Sequence, residues 1–235
     1  MAKIFRDNGL TIVLVLLFVV SLVGHWLAGA HFHNQELASH GQPTIGLIAF
    51  LKDPLFISSV FENWESEFLQ MSAYVVLTAV LVQRGSAESA DPDAPQRDAD
   101  QPGRSRKAEA PAPMRMGPAV RWLYARSLGL TLFILFVASF TLHWLFSARA
   151  AAAEAVLHGD PPEPLLSYLT SAQMWFESFQ NWQSEFLSLA AMVYLSVYLR
   201  ERGSAESKPV ATPHDESGEE EPVIKRRSAA VAHAA

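Results

Sequence analysis

Apolar residues fall into four stretches along the chain, separated by segments that hold almost none. Leu10 to Ala30 contains no Asp, Glu, Lys or Arg, and neither does Leu128 to Ala148. At about 1.5 Å rise per residue, each as a helix spans roughly 30 Å, the thickness of a bilayer's hydrocarbon core. Two further segments, Phe61–Val82 and Phe179–Leu199, open with a polar turn and become apolar toward their C-terminal ends. All four are expected to be transmembrane helices. A cleaved signal peptide is disfavoured for the first. Its apolar stretch is longer than a usual signal core, and the same segment recurs in mid-chain at Leu128, where no signal peptide acts.

The second feature is an internal repeat. Offset by 118 residues, the two halves align without a gap, and 33 of the 80 positions from Leu10 to Ser89 are identical. Phe61-Glu62-Asn63-Trp64-Glu65-Ser66-Glu67-Phe68-Leu69 meets Phe179-Gln180-Asn181-Trp182-Gln183-Ser184-Glu185-Phe186-Leu187. His25-Trp26-Leu27 meets His143-Trp144-Leu145, and Arg84-Gly85-Ser86-Ala87-Glu88-Ser89 meets Arg202-Gly203-Ser204-Ala205-Glu206-Ser207. Apolar composition alone would not hold one register through the loops, so the match marks a duplicated unit. Each unit carries two spans, an even number, which gives both copies the same orientation about an axis along the membrane normal.

The predicted architecture is therefore an all-α membrane protein. Its four transmembrane helices form two tandem helical hairpins of like orientation, over residues 1–84 and 118–202. Residues 85–117 and 203–235 are rich in Pro, Ala, Ser and charge, and are expected to be a disordered cytoplasmic linker and tail. Within each unit the first helix should run to about His40, with Gly41 as its C-terminal stop and Pro43 beyond. Leu47–Leu51 reads as a short interfacial helix. Asp53-Pro54 reads as an N-cap followed by proline at the first helical position, and Ser171 is the equivalent cap. The second helix is expected to reach Arg84 and stop at Gly85. Identical residues on the first helix, Leu10, Leu14, Leu17, Phe18, Ser21 and His25, recur in steps of three and four and predict its packing stripe.

Charge sets the orientation. Of the 18 Lys and Arg residues, only Lys52 and Arg149 fall in the two loops opposite the termini, which leaves 16 on the terminal side. The positive-inside rule then places both termini and the linker in the cytoplasm. Trp26, Trp64, Trp144 and Trp182 fit an outer interfacial belt. The chain has no cysteine, which excludes disulfides and thiol chemistry. Its net charge of −6 comes largely from linker and tail acids and does not suggest nucleic acid.

The candidate chemistry lies in the Asn-Trp-x-Ser-Glu-Phe-Leu block. Glu67 stands 17 residues before Arg84, roughly 25 Å along a helix, and His25 stands roughly 22 Å above Leu10. His25 and Glu67 are thus expected at similar depth near the outer edge, as are His143 and Glu185, with Asn63 and Asn181 on the same face. Three readings remain open for this set. The four ionisable side chains can fix helix packing, take up protons, or ligate a divalent metal. Ionisable groups inside membrane helices are functional candidates by default. Glu62 and Glu65 become Gln180 and Gln183 in the second copy, so their charge reads as dispensable between copies, whereas Glu67 and Glu185 keep theirs. His31 and His33 are not repeated, and read as a hydrated helix surface. The chain carries no nucleotide loop, HExxH zinc motif or GxSxG elbow.

The blocks Asp7-Asn8-Gly9-Leu10, His40-Gly41, Phe61 to Gln70 and Arg84 to Ser89 resemble a bacterial membrane-protein family catalogued as a domain of unknown function. The likeness covers about residues 6–89 and 124–207, with departures at Gln180 and Gln183. It implies a bacterial inner-membrane protein and no known activity. The expectation is a non-enzymatic structural or interaction protein without a cofactor. Its partners are the lipid bilayer and either a second copy or another membrane protein. The alternative is a small transporter or channel for protons or metal ions built on His25, Glu67, His143 and Glu185.

Overall fold

The computed structural model describes residues 2–90 and 111–217. Those residues form helices and turns, with no strand among them. Helix α1 spans Ala2–Ser39, α2 Leu47–Phe50 and α3 Pro54–Thr78. A 3-10 turn at Ala112–Arg115 precedes α4 Pro118–Ala125, α5 Ser127–His158, α6 Leu165–Tyr168 and α7 Ala172–Tyr198. Two helical stretches, Lys3–Ser39 and Ser127–His158, are long and apolar enough to cross a membrane.

The helix boundaries follow local chemistry. Gly41 (φ 68°) and Gly159 (φ 80°) adopt the left-handed conformation that ends α1 and α5. Gln42 N–H then donates back to Leu37 O at 2.8 Å, and Asp160 N–H to Ala155 O at 2.8 Å, as in a Schellman cap. Asp53 Oδ1 accepts Leu55 N–H at 2.9 Å, and Ser171 Oγ accepts Met174 N–H at 3.2 Å, which caps α3 and α7 as expected. Asn8 (φ −135°, ψ 16°) kinks α1, and Arg126 (φ −117°, ψ 6°) separates α4 from α5. Trp26 Nε1 donates to Leu47 O at 2.9 Å and Trp144 Nε1 to Leu165 O at 3.0 Å, tying each long helix to the short one after it.

Three expectations change. First, α3 ends at Thr78 rather than Arg84. The Thr78 hydroxyl donates to Tyr74 O and Val75 O, and Gln83 N–H takes Ser89 Oγ at 2.7 Å in place of a carbonyl four residues back. Second, the described parts of the expected linker and tail carry specific side-chain bonds. In Arg84 to Ser89, Glu88 N–H bonds Ser86 Oγ at 3.1 Å, and Gly85 has φ 82°. In Arg202 to Ser207, Glu206 N–H bonds Ser204 Oγ at 3.1 Å, Glu201 N–H bonds Ser207 Oγ at 2.9 Å, and Gly203 has φ 87°. The shared motif is thus a serine-braced loop. Beyond it, buried Lys208 donates to Pro213 O, His214 O and Glu216 O. The rest of the expected linker and tail, 91–110 and 218–235, lies outside the described residues. Third, the predicted stripe is buried in α5 at Ser139 and His143, whereas Leu10, Leu14, Leu17 and Phe18 of α1 are exposed.

Contacts group the chain into two compact units, each drawn from both sequence halves: residues 1–65 with 138–178, and residues 66–137 with 179–235. The first contains two small apolar clusters. Ala30, Phe50 and Phe56 pack with Leu22 and Trp26, and Ala148, Tyr168 and Met174 pack with Phe140 and Trp144. In the second, Gln70 Nε2 donates to Glu185 O at 2.8 Å and Ser188 Oγ at 2.9 Å, and Ser86 Oγ meets Ser196 Oγ at 2.8 Å.

Placing a Cβ in the left-handed region costs about 1–2 kcal/mol. Gly41→Ala and Gly159→Ala are each expected to destabilise the protein by about that amount, read as a lower midpoint of thermal unfolding in detergent. Gly46→Ala, whose Cβ would meet open space at a negative φ, should leave the midpoint unchanged.

Candidate functional site

Ser139, His143 and Ser147 recur every four residues along the apolar helix α5, so they share one face. All three are buried, and His143 has no exposed surface. A polar row inside such a helix must find partners, because no water satisfies it. The partners come from the other helical segments of the first compact unit. His143 Nδ1 lies 2.7 Å from Glu65 Oε2 of α3, and Nε2 lies 3.3 Å from Glu177 Oε2 of α7. Ser147 Oγ donates to the same Glu177 oxygen at 2.8 Å, and Gln173 Nε2 donates to Glu177 Oε1 at 3.0 Å. Tyr168 OH stands 2.8 Å from Ser147 Oγ. The Ser147 proton is committed to Glu177, so Tyr168 is the donor. Burial pushes the Tyr168 hydroxyl up to about 12, and the Glu177 carboxylate adds to this, which keeps the phenol protonated.

A neutral imidazole has one N–H and one lone pair. Both nitrogens face carboxylate oxygens, so two bare carboxylates around a neutral ring would leave lone pair against lone pair on one side. The arrangement therefore holds one further proton, either on the ring or on a carboxyl group. Glu65 and Glu177 meet opposite edges of the imidazole, and both nitrogens are engaged by carboxylates. Among the described residues no three His, Asp or Glu side chains converge as metal ligation requires.

The residues singled out from sequence are distributed differently. His25 Nε2 is 3.0 Å from Ser59 Oγ and its ring packs on Phe56. Ser59 occupies the position that Glu177 holds in the second copy. Gly29 and Phe50 stand where Ser147 and Tyr168 do, and a Cβ on Gly29 would come 3.1 Å from the Phe50 ring. The His25 surroundings are thus the apolar counterpart of the His143 cluster. Glu67 and Glu185 fall in the second unit. Glu67 is exposed, Glu185 is half-buried, and Glu67's charge acts on Glu185. Asn63 Nδ2 bonds Ser59 O at 2.8 Å, while Asn181 O accepts Ser184 Oγ–H at 2.8 Å. Trp64 packs against Phe18 and Phe61, and Trp182 against Phe136 and Phe179. Glu65 and Glu177, the partners of His143, were not among the expected residues. The four-residue spacing of Ser139, His143 and Ser147 is the sequence signal that could have led to them.

The second unit holds another acidic group. Tyr74 OH bonds Glu88 Oε2. Burial raises the Glu88 carboxyl above its ordinary range, Tyr74 pulls it down, and neighbouring Glu206 pushes it up again.

Removing one partner of a buried charged pair costs about 3–5 kcal/mol, whereas one ordinary hydrogen bond is worth about 1 kcal/mol. His143→Ala should therefore lower the unfolding midpoint in detergent well below that of His25→Ala. A carboxyl raised in the folded state stabilises it below the unfolded value and loses that contribution as pH rises through the folded one. Hydrogen-exchange protection of the 83–89 loop, corrected for intrinsic rates, is accordingly expected to fall as pH rises above the ordinary carboxyl range. Glu88→Gln should abolish that fall.

Neither the curated proteins nor the solved structures contain a match to this chain. A family profile described as a domain of unknown function (DUF6766) matches residues 1–219, and the chain belongs to that family.

Proposed function

We propose that this is a non-enzymatic, four-span protein of the bacterial inner membrane with a structural or interaction role, its termini in the cytoplasm. One observation carries the reading: the distribution of polarity is the reverse of that in a water-soluble fold. Leu10, Leu14, Leu16 and Val20 of α1, and Leu128, Phe133, Ile134 and Val137 of α5, are exposed. Ser58, Glu65, Ser66, Ser139, His143, Ser147 and Ser178 are buried. In water, the exposed apolar surface would carry a large hydrophobic cost, since each Å² of such surface is worth about 25 cal/mol. In a bilayer the same surface meets lipid, and polar side chains turn inward to bond one another. Helices α3 and α7 bring Glu65 and Glu177 into this interior, which is the reason for reading them as spans despite their charge.

The two-hairpin reading rests on the sequence match and on bonds that recur 118 residues apart. Examples are the Trp26 and Trp144 bonds, the Gly41 and Gly159 caps, and the serine-braced loops at Ser86 and Ser204. Under this reading the exposed stripe of α1 faces lipid, a second copy or another membrane protein.

The absence of native cysteine makes single-cysteine scanning direct. Gln42, Ala90, Met116 and Pro162 are exposed loop positions suited to it. With four spans, Gln42→Cys and Pro162→Cys should react with a membrane-impermeant maleimide in intact cells, while Ala90→Cys and Met116→Cys should react only after permeabilisation. If α1 and α5 alone crossed the membrane, Ala90→Cys would label from outside and Pro162→Cys would not, which overturns the four-span reading. Extraction by alkaline carbonate would overturn membrane integration itself.

A further inference from the structure

We propose that Glu177, His143 and Glu65 form a proton relay that carries a proton from solvent to a carboxylate buried within the first compact unit. The proposal goes beyond a structural role and rests on the geometry around one imidazole. Glu65 and His143 are fully enclosed, whereas the Glu177 side chain retains 23% of its surface. Glu177 is thus the member of the three with exposed surface, and it lies in the first two turns of α7. The ring places one nitrogen against each carboxylate, 3.3 Å on the Glu177 side and 2.7 Å on the Glu65 side.

The transfer conserves protons and needs no other reactant. In the first state Glu177 is a carboxylic acid and donates to His143 Nε2, while His143 Nδ1–H donates to the Glu65 carboxylate. The Glu177 proton moves to Nε2 and the Nδ1 proton moves to Glu65 Oε2. In the second state Nε2–H donates to the Glu177 carboxylate, and Glu65, now the acid, donates to Nδ1. Every hydrogen bond is kept in both states, and the imidazolium flanked by two carboxylates lies between them. Each ring nitrogen keeps a carboxyl partner throughout, which lowers the cost of moving charge inside a protein.

The remaining polar groups suit this role. Tyr168 and Ser147 feed donors toward Glu177 Oε2, and Gln173 fixes Glu177 Oε1, so the carboxyl group keeps its aim while it exchanges a proton. The charged and titratable groups acting on the ring are Glu65 and Glu62 from α3 and Glu177 from α7, while Glu163 acts on Tyr168 of α6. The equivalent ring in the first copy, His25, faces Ser59 in place of Glu177 and provides an internal control.

The test uses the full chain in detergent micelles with nitrogen-15 histidine, following the interconversion of the Nδ1–H and Nε2–H forms of each imidazole from about pH 5 to pH 9. In the wild type both forms of His143 are expected, interconverting, with the Nε2 proton exchanging with solvent. Glu177→Gln should slow the interconversion by at least about a hundredfold, the scale of a general acid–base contribution, and Glu177→Asp should restore it. Glu65→Gln, whose amide cannot take up the Nδ1 proton, should slow it likewise. The last variant also decides the matter if Glu177→Gln fails to fold. Equal interconversion in wild type, Glu177→Gln and Glu177→Asp, or an unslowed rate in Glu65→Gln, overturns the relay. A fall in thermal midpoint with unchanged interconversion assigns the cluster to packing alone, and carbonate extraction reports separately on the membrane reading.

Discussion

The buried imidazole of His143 constrains much of the first compact unit. A histidine without exposed surface on a long apolar helix needs a partner at each nitrogen, and two carboxylates supply them. Glu65 must then reach inward from α3 and Glu177 from α7, so three helices are fixed in register around one ring. Ser147, Tyr168 and Gln173 complete the bonds that Glu177 needs. Breaking the link between His143 and Glu65 leaves a polar group where water does not reach, which is why the cluster is costly to disturb.

This constraint is met on one side only. Around His25 the corresponding positions are Ser59, Gly29 and Phe50, and ring packing replaces the charged bonds. The two aligned segments thus carry one polar and one mainly apolar version of the same local arrangement. Interhelical polar bonds contribute about 0.6 kcal/mol on average, so the concentration of bonds at His143 is more than helix association requires.

The serine-braced loops show that a motif can be structural without being a helix stop. Arg84 to Ser89 and Arg202 to Ser207 are identical because each side-chain oxygen captures a particular backbone N–H, and each glycine takes a positive φ. These bonds replace the last helical turns at the end of α3, and they account for a match that composition had assigned to a disordered segment.

Local features were legible in the sequence because their causes are local. Gly41 and Gly159 end helices, Asp53 and Ser171 begin them, and the apolar runs at Leu10 and Leu128 announce long helices, since dihedral preference, capping and hydropathy each act within a few residues. The internal match likewise followed from residue identity alone. The site did not. Comparison of the copies favoured residues they share, Glu67 and Glu185, and discounted Glu65 because Gln183 replaces it. The His143 cluster is asymmetric, built from Glu65 and Glu177, residues that its counterpart lacks. Which carboxylates reach His143 depends on how α3, α5 and α7 rotate against one another, and that is set by side-chain packing between segments far apart in the chain. Sequence determined that a histidine would lie inside an apolar helix and would need partners. Tertiary structure alone decided which partners it has, because a buried polar group is satisfied by whatever the folded chain brings within about 3 Å.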